Sequence, residues 1–288
     1  MTKPIVVGVD GSDSAQQAVR WAAREAARRK APLRLVHANM VIPAYTTVPV
    51  PRSLAQALAE EGRRWLREAS QVAQEEEPQI EVSRILERAD PPTVLLAESQ
   101  TAQLMVLGSR GLGGFTGLMV GSVAVKLAQR ASCPVVVVRD EHDDTSGKPV
   151  ILGVDGSPAG EAAIAFAYEQ ASRWNVPLVA VHTWSDVLPP AAFSIVPHAF
   201  DWPEIQTKEL ELLCERLAGW QEKYPDVQVE RIVTQDSPAR SLIEQARSAQ
   251  LVVVGSRGRG ALAGLLLGST SQALLHHAPC PVAVVRPD

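Results

Sequence analysis

The amino-acid sequence predicts an α/β protein made of two tandem doubly wound domains, each a parallel sheet with helices on both faces. Two observations carry that expectation. The chain repeats itself: PIVVGVDGS at residues 4–12 returns as PVILGVDGS at residues 149–157, an offset of 145. Within each half, short apolar runs alternate with stretches of helical periodicity, the pattern of successive β-α-β units.

The repeat extends through both halves. PLRLVHAN from Pro32 returns as PLVAVHTW from Pro177. LMVLGSRG from Leu104 returns as LVVVGSRG from Leu251, and CPVVVVR from Cys133 as CPVAVVR from Cys280, both now at an offset of 147. So small a drift means a duplicated unit with minor loop changes. The boundary falls in DEHDDTSGK, residues 140–148, a polar and acidic run of linker composition. The expected domains are therefore residues 1–140 and 149–288, joined by a linker at 141–148. A length of 288 residues agrees with two domains of roughly 150 each.

The elements follow in order. Residues 5–9 form an apolar run of strand length, and Ser12 or Asp13 caps the helix after it. Val19, Ala22, Ala23, Ala26 and Ala27 recur at helical spacing, with Arg28, Arg29 and Lys30 toward the C-terminal end, where cations suit the helix dipole. Residues 33–37 are the second strand, 54–74 a longer helix, and 80–86 an alternating third strand. Asp90-Pro91-Pro92 opens the next helix, proline being tolerated where no intrahelical N–H partner is needed. Residues 104–107 and 135–138 are the last two strands, with a helix over 122–129 between them. The second half repeats the strands at 151–154, 178–182, 227–233, 251–254 and 282–285. It also carries a longer proline-containing loop at 186–204.

Composition narrows the function classes. The net charge of −4 and a pI near 5.9 argue against a polyanion-binding surface, so nucleic acid is not an expected partner. No run approaches the ~20 apolar residues of a membrane span, and no secretory signal precedes the first strand, so a cytoplasmic protein is expected. Cys133, Cys214 and Cys280 form no C-x-x-C pair and read as reduced thiols.

The motif that carries chemistry follows the fourth strand. In a doubly wound sheet, ligands bind beyond the carboxyl ends of the strands. A Walker A loop is excluded, because neither half places a lysine beside the relevant glycine. Residues 258–263 match a dinucleotide fingerprint loosely but follow a late strand, and position 280, where an acid is needed, is cysteine. The pattern that remains is G-x-x-G, nine residues, then G-S. It appears as Gly108, Gly111, Gly121 and Ser122, and again as Gly255, Gly258, Gly268 and Ser269.

That spacing has a physical rationale. Glycines at 108 and 111 let main chain approach a ligand and permit positive φ. Inward-facing N–H groups then form an anion nest, and a helix N-terminus at Gly121-Ser122 favours phosphate. The same glycines also suit tight turns and close helix packing, with Ser122 and Ser269 as simple N-caps. Residues 112–120 act either as a flap over the site or as packing for the next helix. Arg110 and Arg257 either reach phosphate or lie solvated at the surface.

V-G-V-D-G-S at both first strands, V-H at both second strands, the G-S-R-G loops and the final C-P-V strands together resemble the universal stress protein family in its tandem form. The resemblance covers nearly the whole chain. It implies a five-stranded sheet of order 3-2-1-4-5 in each domain, pairing of the domains through their last strands, and ATP binding by the subgroup that carries the glycine motif. Carried over by position, it places Asp10 and Asp155 by the nucleotide's ribose or its Mg²⁺, although each aspartate also suits a turn before the helix. It sets the backbone of Ala38 and Thr183 at the adenine edge. Phosphates fall to Gly108, Gly111, Gly121 and Ser122 and to Gly255, Gly258, Gly268 and Ser269, with Val123 and Thr270 adding main-chain donors.

Other candidates have simpler readings. His37 and His182 lie at equivalent strand ends and suit a core or rim position better than a metal site. Asp90 and Asp236 read as helix caps. No spacing suggests a catalytic triad, and no residue is assigned a catalytic role. The expected function is an ATP-binding stress-response regulator with one ATP per domain, signalling through conformation or a protein partner and acting as a homodimer. The alternatives are a slow Mg²⁺-dependent ATPase and a nucleotide-free interaction module. Fast phosphoryl transfer is unsupported without an evident general base, Walker lysine or arginine finger.

Overall fold

Short Val- and Ile-rich runs form the strands. The computed structural model describes residues 2–39, 52–111, 120–139, 147–184, 202–258 and 267–287. The chain divides into two compact units, Met1–Glu141 and His142–Asp288. The expected linker, the long loop at 186–204 and the segments between the paired glycines fall largely outside the described residues.

The first unit runs β1 (Ile5–Gly8), α1 (Asp13–Arg29), β2 (Leu33–Ala38), α2 (Arg52–Glu76), β3 (Val82–Glu87), α3 (Pro91–Ser99), β4 (Leu104–Gly108), α4 (Ser122–Arg130) and β5 (Val135–Val138). Its strands are parallel in the order β3-β2-β1-β4-β5. The second unit runs β6 (Val150–Val154), a short 3₁₀ turn (Pro158–Gly160), α5 (Glu161–Trp174), β7 (Leu178–Thr183), α6 (Trp202–Lys223), β8 (Val229–Thr234), α7 (Pro238–Ala246), β9 (Leu251–Gly255), α8 (Ser269–His277) and β10 (Val282–Val285). Its order, β8-β7-β6-β9-β10, is also parallel and is the same 3-2-1-4-5 arrangement.

Burial explains the sequence pattern. The strands β4, β5, β9 and β10 are apolar throughout because helices cover both faces, and their valines and leucines are buried. The edge strands β3 and β8 carry charged residues on exposed positions. Helix α1 starts where its sequence allows a cap: the Ser12 hydroxyl accepts the Ala15 N–H at 3.2 Å. Its Ala18, Val19, Ala22, Ala23 and Ala26 are buried, and Lys30 closes it in a left-handed conformation at φ 50°. The second unit departs at this point. Pro158 and Gly160 set a 3₁₀ turn before α5 begins at Glu161. The expected cap at Asp90 bonds Thr93 Oγ1 and makes no side-chain bond to a helix N–H. Asp236 lies one residue before the true cap, Ser237, whose N–H it accepts. Among the described residues, no helix is long and apolar enough to cross a membrane.

Candidate functional site

Strand order reverses between β1 and β4, so the crevice beyond their carboxyl ends lies at the switch point of the sheet. A cavity of about 470 Å³ opens there, within the ~300–1,000 Å³ range of small-molecule sites. Val36, His37 and Ala38 line it from the end of β2, and Leu95 and Leu107 add apolar wall.

The turn after β1 positions the first aspartate. Gly11 takes φ +86° and Gly156 φ +74°, so the positive dihedral required here belongs to the V-D-G-S glycines. Neither Gly108 nor Gly111 adopts one; the freedom expected of them for positive φ is not used. Asp10 Oδ1 accepts the Ser12 N–H at 3.1 Å and the Ser12 hydroxyl at 2.6 Å. Asp155 Oδ1 does the same with Ser157, at 3.0 and 2.9 Å. Each aspartate thus holds its turn with one oxygen and keeps the other toward the glycine loop. A Cβ at Gly111 would collide with Asp10 Oδ2, and one at Gly258 would lie 3.2 Å from Asp155 Oδ2. The Asp155 Oδ2 atom is buried with no hydrogen-bond partner among the described residues.

The four-residue glycine motif closes on itself through main chain. Gly121 N–H donates to Ser109 O at 2.7 Å, and Gly268 N–H to Ser256 O at 2.8 Å, so the two ends of each motif meet across the intervening segment. The caps of α4 and α8 are Gly121 and Gly268, which supply no capping side chain; Ser122 and Ser269 are the first helical residues and not the expected N-caps. The first intrahelical bonds run from Val125 N–H to Gly121 O and from Gln272 N–H to Gly268 O. The N–H groups of Ser122, Val123 and Ala124, and of Ser269, Thr270 and Ser271, precede those bonds as the orphan donors of a helix start. Gly121, Ser122, Val123 and Ala124 all line the cavity.

Gly108 has a different role. A Cβ there would lie 2.6 Å from the Ser14 main-chain carbon, so this glycine lets β4 approach α1 closely. Arg110 is exposed and also borders the cavity; Arg257 is exposed. Burial, and after it the positive charge of Arg257, hold the Arg286 guanidinium below its ordinary value.

Strand alternation leaves main-chain groups open at the cleft. Val9 N–H donates to Val36 O at 2.8 Å, while Asn39 N–H turns the other way, to Glu87 O. Ala38 therefore points its amide and carbonyl toward the β1 side, past the end of β1. By the same pairing Thr183 faces the β6 side, with Trp184 N–H turned to Thr234 O. His37 is buried, its Nδ1 2.6 Å from Val9 O and its Nε2 2.8 Å from Asn39 Oδ1. His182 is buried too, its Nδ1 2.7 Å from Val154 O and its Nε2 2.7 Å from Glu209 Oε2. Both imidazoles clamp strand ends together. Among the described residues, no group of three or more His, Cys, Asp or Glu is placed to hold a metal ion.

Sequence reasoning missed two contributors, Trp65 and Ser14, and read Ser12 only as a helix cap. Trp65 of α2 stands against Gly11, where a Cβ would collide with its indole, and meets His37 edge-on with ring centroids 5.1 Å apart. Ser14 bonds the loop at Arg110, and Ser12 fixes Asp10. Only Ser12 left a signal, through its repeat at Ser157; Ser14 and Trp65 are replaced by Ala159 and Leu212 in the second half.

A model of the universal stress protein family matches residues 1–139 and 147–286. The chain is 44% identical over 290 residues to universal stress protein Rv2623 of Mycobacterium tuberculosis, covering 98% of this chain and 96% of that protein. It is 43% identical over 302 residues to universal stress protein Rv2005c of the same organism, covering 99% of each. The crystal structure of a universal stress protein from Archaeoglobus fulgidus superposes with a TM-score of 0.75 at 18% identity, covering 99% of this chain and 98% of the other.

Proposed function

The chain belongs to the universal stress protein family, and from that premise we propose that each of its two domains binds ATP and that the bound state regulates a partner. The observation that carries this reading is the helix start of α4. Its orphan N–H groups, uncapped by Gly121, border a cavity at the switch point of the sheet. A triphosphate supplies the anionic acceptors such a helix end favours. The Ala38 and Thr183 backbones offer a donor and an acceptor to a purine edge. Asp155 Oδ2 needs a donor, since an unsatisfied buried acceptor costs about 1–3 kcal/mol; a ribose hydroxyl or a nucleotide-bound Mg²⁺ meets that need. Asp10 and Asp155 are thus the residues that would face the ribose or the cation, and Arg110 and Arg257 lie within the same loops.

On this reading the chain is a cytoplasmic regulator, homodimeric and read by a protein partner, with no catalytic residue. Its test is direct. Purified protein is denatured, the released small molecules are separated by chromatography, and the emptied, refolded chain is titrated with ATP by calorimetry. Adenine nucleotide in the supernatant and saturable ATP binding are expected; the absence of both would leave a nucleotide-free interaction module. Release of γ-phosphate well above buffer, lost in Asp10→Ala with Asp155→Ala, would move the reading to a slow ATPase.

A further inference from the structure

The two glycine loops are anchored differently, and the difference lies one residue deep behind each. In the first domain the Arg110 N–H donates to Ser14 Oγ at 3.3 Å, and Ser14 Oγ lies 3.4 Å from Ser109 Oγ. Both serines are buried, at 4% and 2% exposure. The first loop therefore commits one of its main-chain donors to helix α1. At the 145-residue offset, Ser14 is replaced by Ala159. The Arg257 N–H then has no acceptor among the described residues. Ser256 Oγ, on a residue with no exposed surface, is likewise without a partner. The second loop is held from its other side, where Ser271 Oγ of α8 donates to Gly255 O at 2.7 Å. The equivalent of Ser271 in the first domain is Ala124. That anchor occupies a carbonyl and leaves the N–H of Arg257 uncommitted.

Building on the nucleotide reading, we infer that the two sites are unequal: the second binds the nucleotide's phosphates more tightly, because Arg257 N–H is available to a phosphate oxygen while Arg110 N–H is held by Ser14. An N–H donated to an ionised oxygen is about twice as strong as a neutral bond. Ser14 does not border the cavity, so it tunes the site through the loop and not by touching the ligand.

A reciprocal exchange tests this. Calorimetric titration of the full chain with ATP is expected to resolve two affinities about tenfold apart, the size of one charge-assisted hydrogen bond. Ala159→Ser supplies the missing hydroxyl and should weaken the tighter site about tenfold. Ser14→Ala frees Arg110 N–H and should tighten the weaker site by a similar factor. With adenosine, which has no phosphate, neither exchange should matter. Each variant introduces a residue that the other half already carries, and should Ala159→Ser not fold, Ser14→Ala decides alone. Weaker binding in Ser14→Ala would mean that Ser14 preorganises the loop, and would overturn the inference. Equal affinities in the unaltered chain would overturn it as well, while the nucleotide reading stands. No ATP binding at either site would remove the nucleotide reading itself.

Discussion

Behind the end of the second strand, the two domains solve one packing problem in opposite ways. In the first, the imidazole of His37 runs beside Gly62 of α2, where a Cβ would lie only 2.5 Å from its Cδ2. In the second, the residue at that place is Glu209, whose carboxylate stands 2.7 Å from His182 Nε2. Around that difference the neighbours change together: Asn39 becomes Trp184, Trp65 becomes Leu212, and Ser14 becomes Ala159. Duplication preserved the strand order and the glycine spacing, whereas the side chains supporting the site diverged. The main-chain features of the candidate site are common to both copies, and the side chains packed behind them are what differ.

The largest expected effect separates the two loops by how close each aspartate stands. A Cβ at Gly111 collides with Asp10 Oδ2, but at Gly258 it keeps 3.2 Å from Asp155 Oδ2. Gly111→Ala is therefore expected to lower ATP affinity at the first site by about 100-fold, and Gly258→Ala at the second by only several-fold, on the scale where ~1.4 kcal/mol is tenfold. Calorimetry on each variant reads both sites. Equal losses would break the contrast in carboxylate approach.

A smaller effect concerns stability. Glu209→Ala leaves a buried histidine nitrogen facing the gap and should destabilise the second domain by about 2–3 kcal/mol. Asn39→Ala, which removes a neutral partner from His37, should cost the first domain about 1 kcal/mol. Chemical denaturation followed by tryptophan fluorescence measures both. Matching values would show that Glu209 adds nothing beyond an ordinary hydrogen bond.

The smallest effect leaves the fold untouched. Cys133 and Cys280 occupy equivalent buried positions, while Cys214 is exposed on α6, where the first half has Arg67. Burial pushes the Cys133 thiol up to about 12, so it stays protonated and unreactive in neutral solution. A thiol reagent at about pH 8 should label Cys214 quickly and the other two only after denaturant is added. Rapid labelling of Cys133 would mean that the start of β5 opens readily.

What the amino-acid sequence determined by itself was everything that recurs. The duplicated strands, the α/β alternation and the spacing of Gly108, Gly111, Gly121 and Ser122 were legible because a repeat compares the chain with itself, and because periodicity reports which faces are buried. Strand boundaries agreed to within two residues, as at β3, which begins at Val82 and not at Ile80. Tertiary structure alone decided which glycine does what: Gly11 turns the chain, Gly108 admits Ser14, and Gly111 admits Asp10. It also decided that Ser14 bonds Arg110, 96 residues away, and that His182 meets Glu209, 27 residues away. Such pairs are set by how helices lie on the sheet, so neither partner carries a local mark of the other. Where the two halves differ, as at Ser14 and Ala159, the repeat that exposed the fold falls silent, and only the packed side chains distinguish one site from its copy.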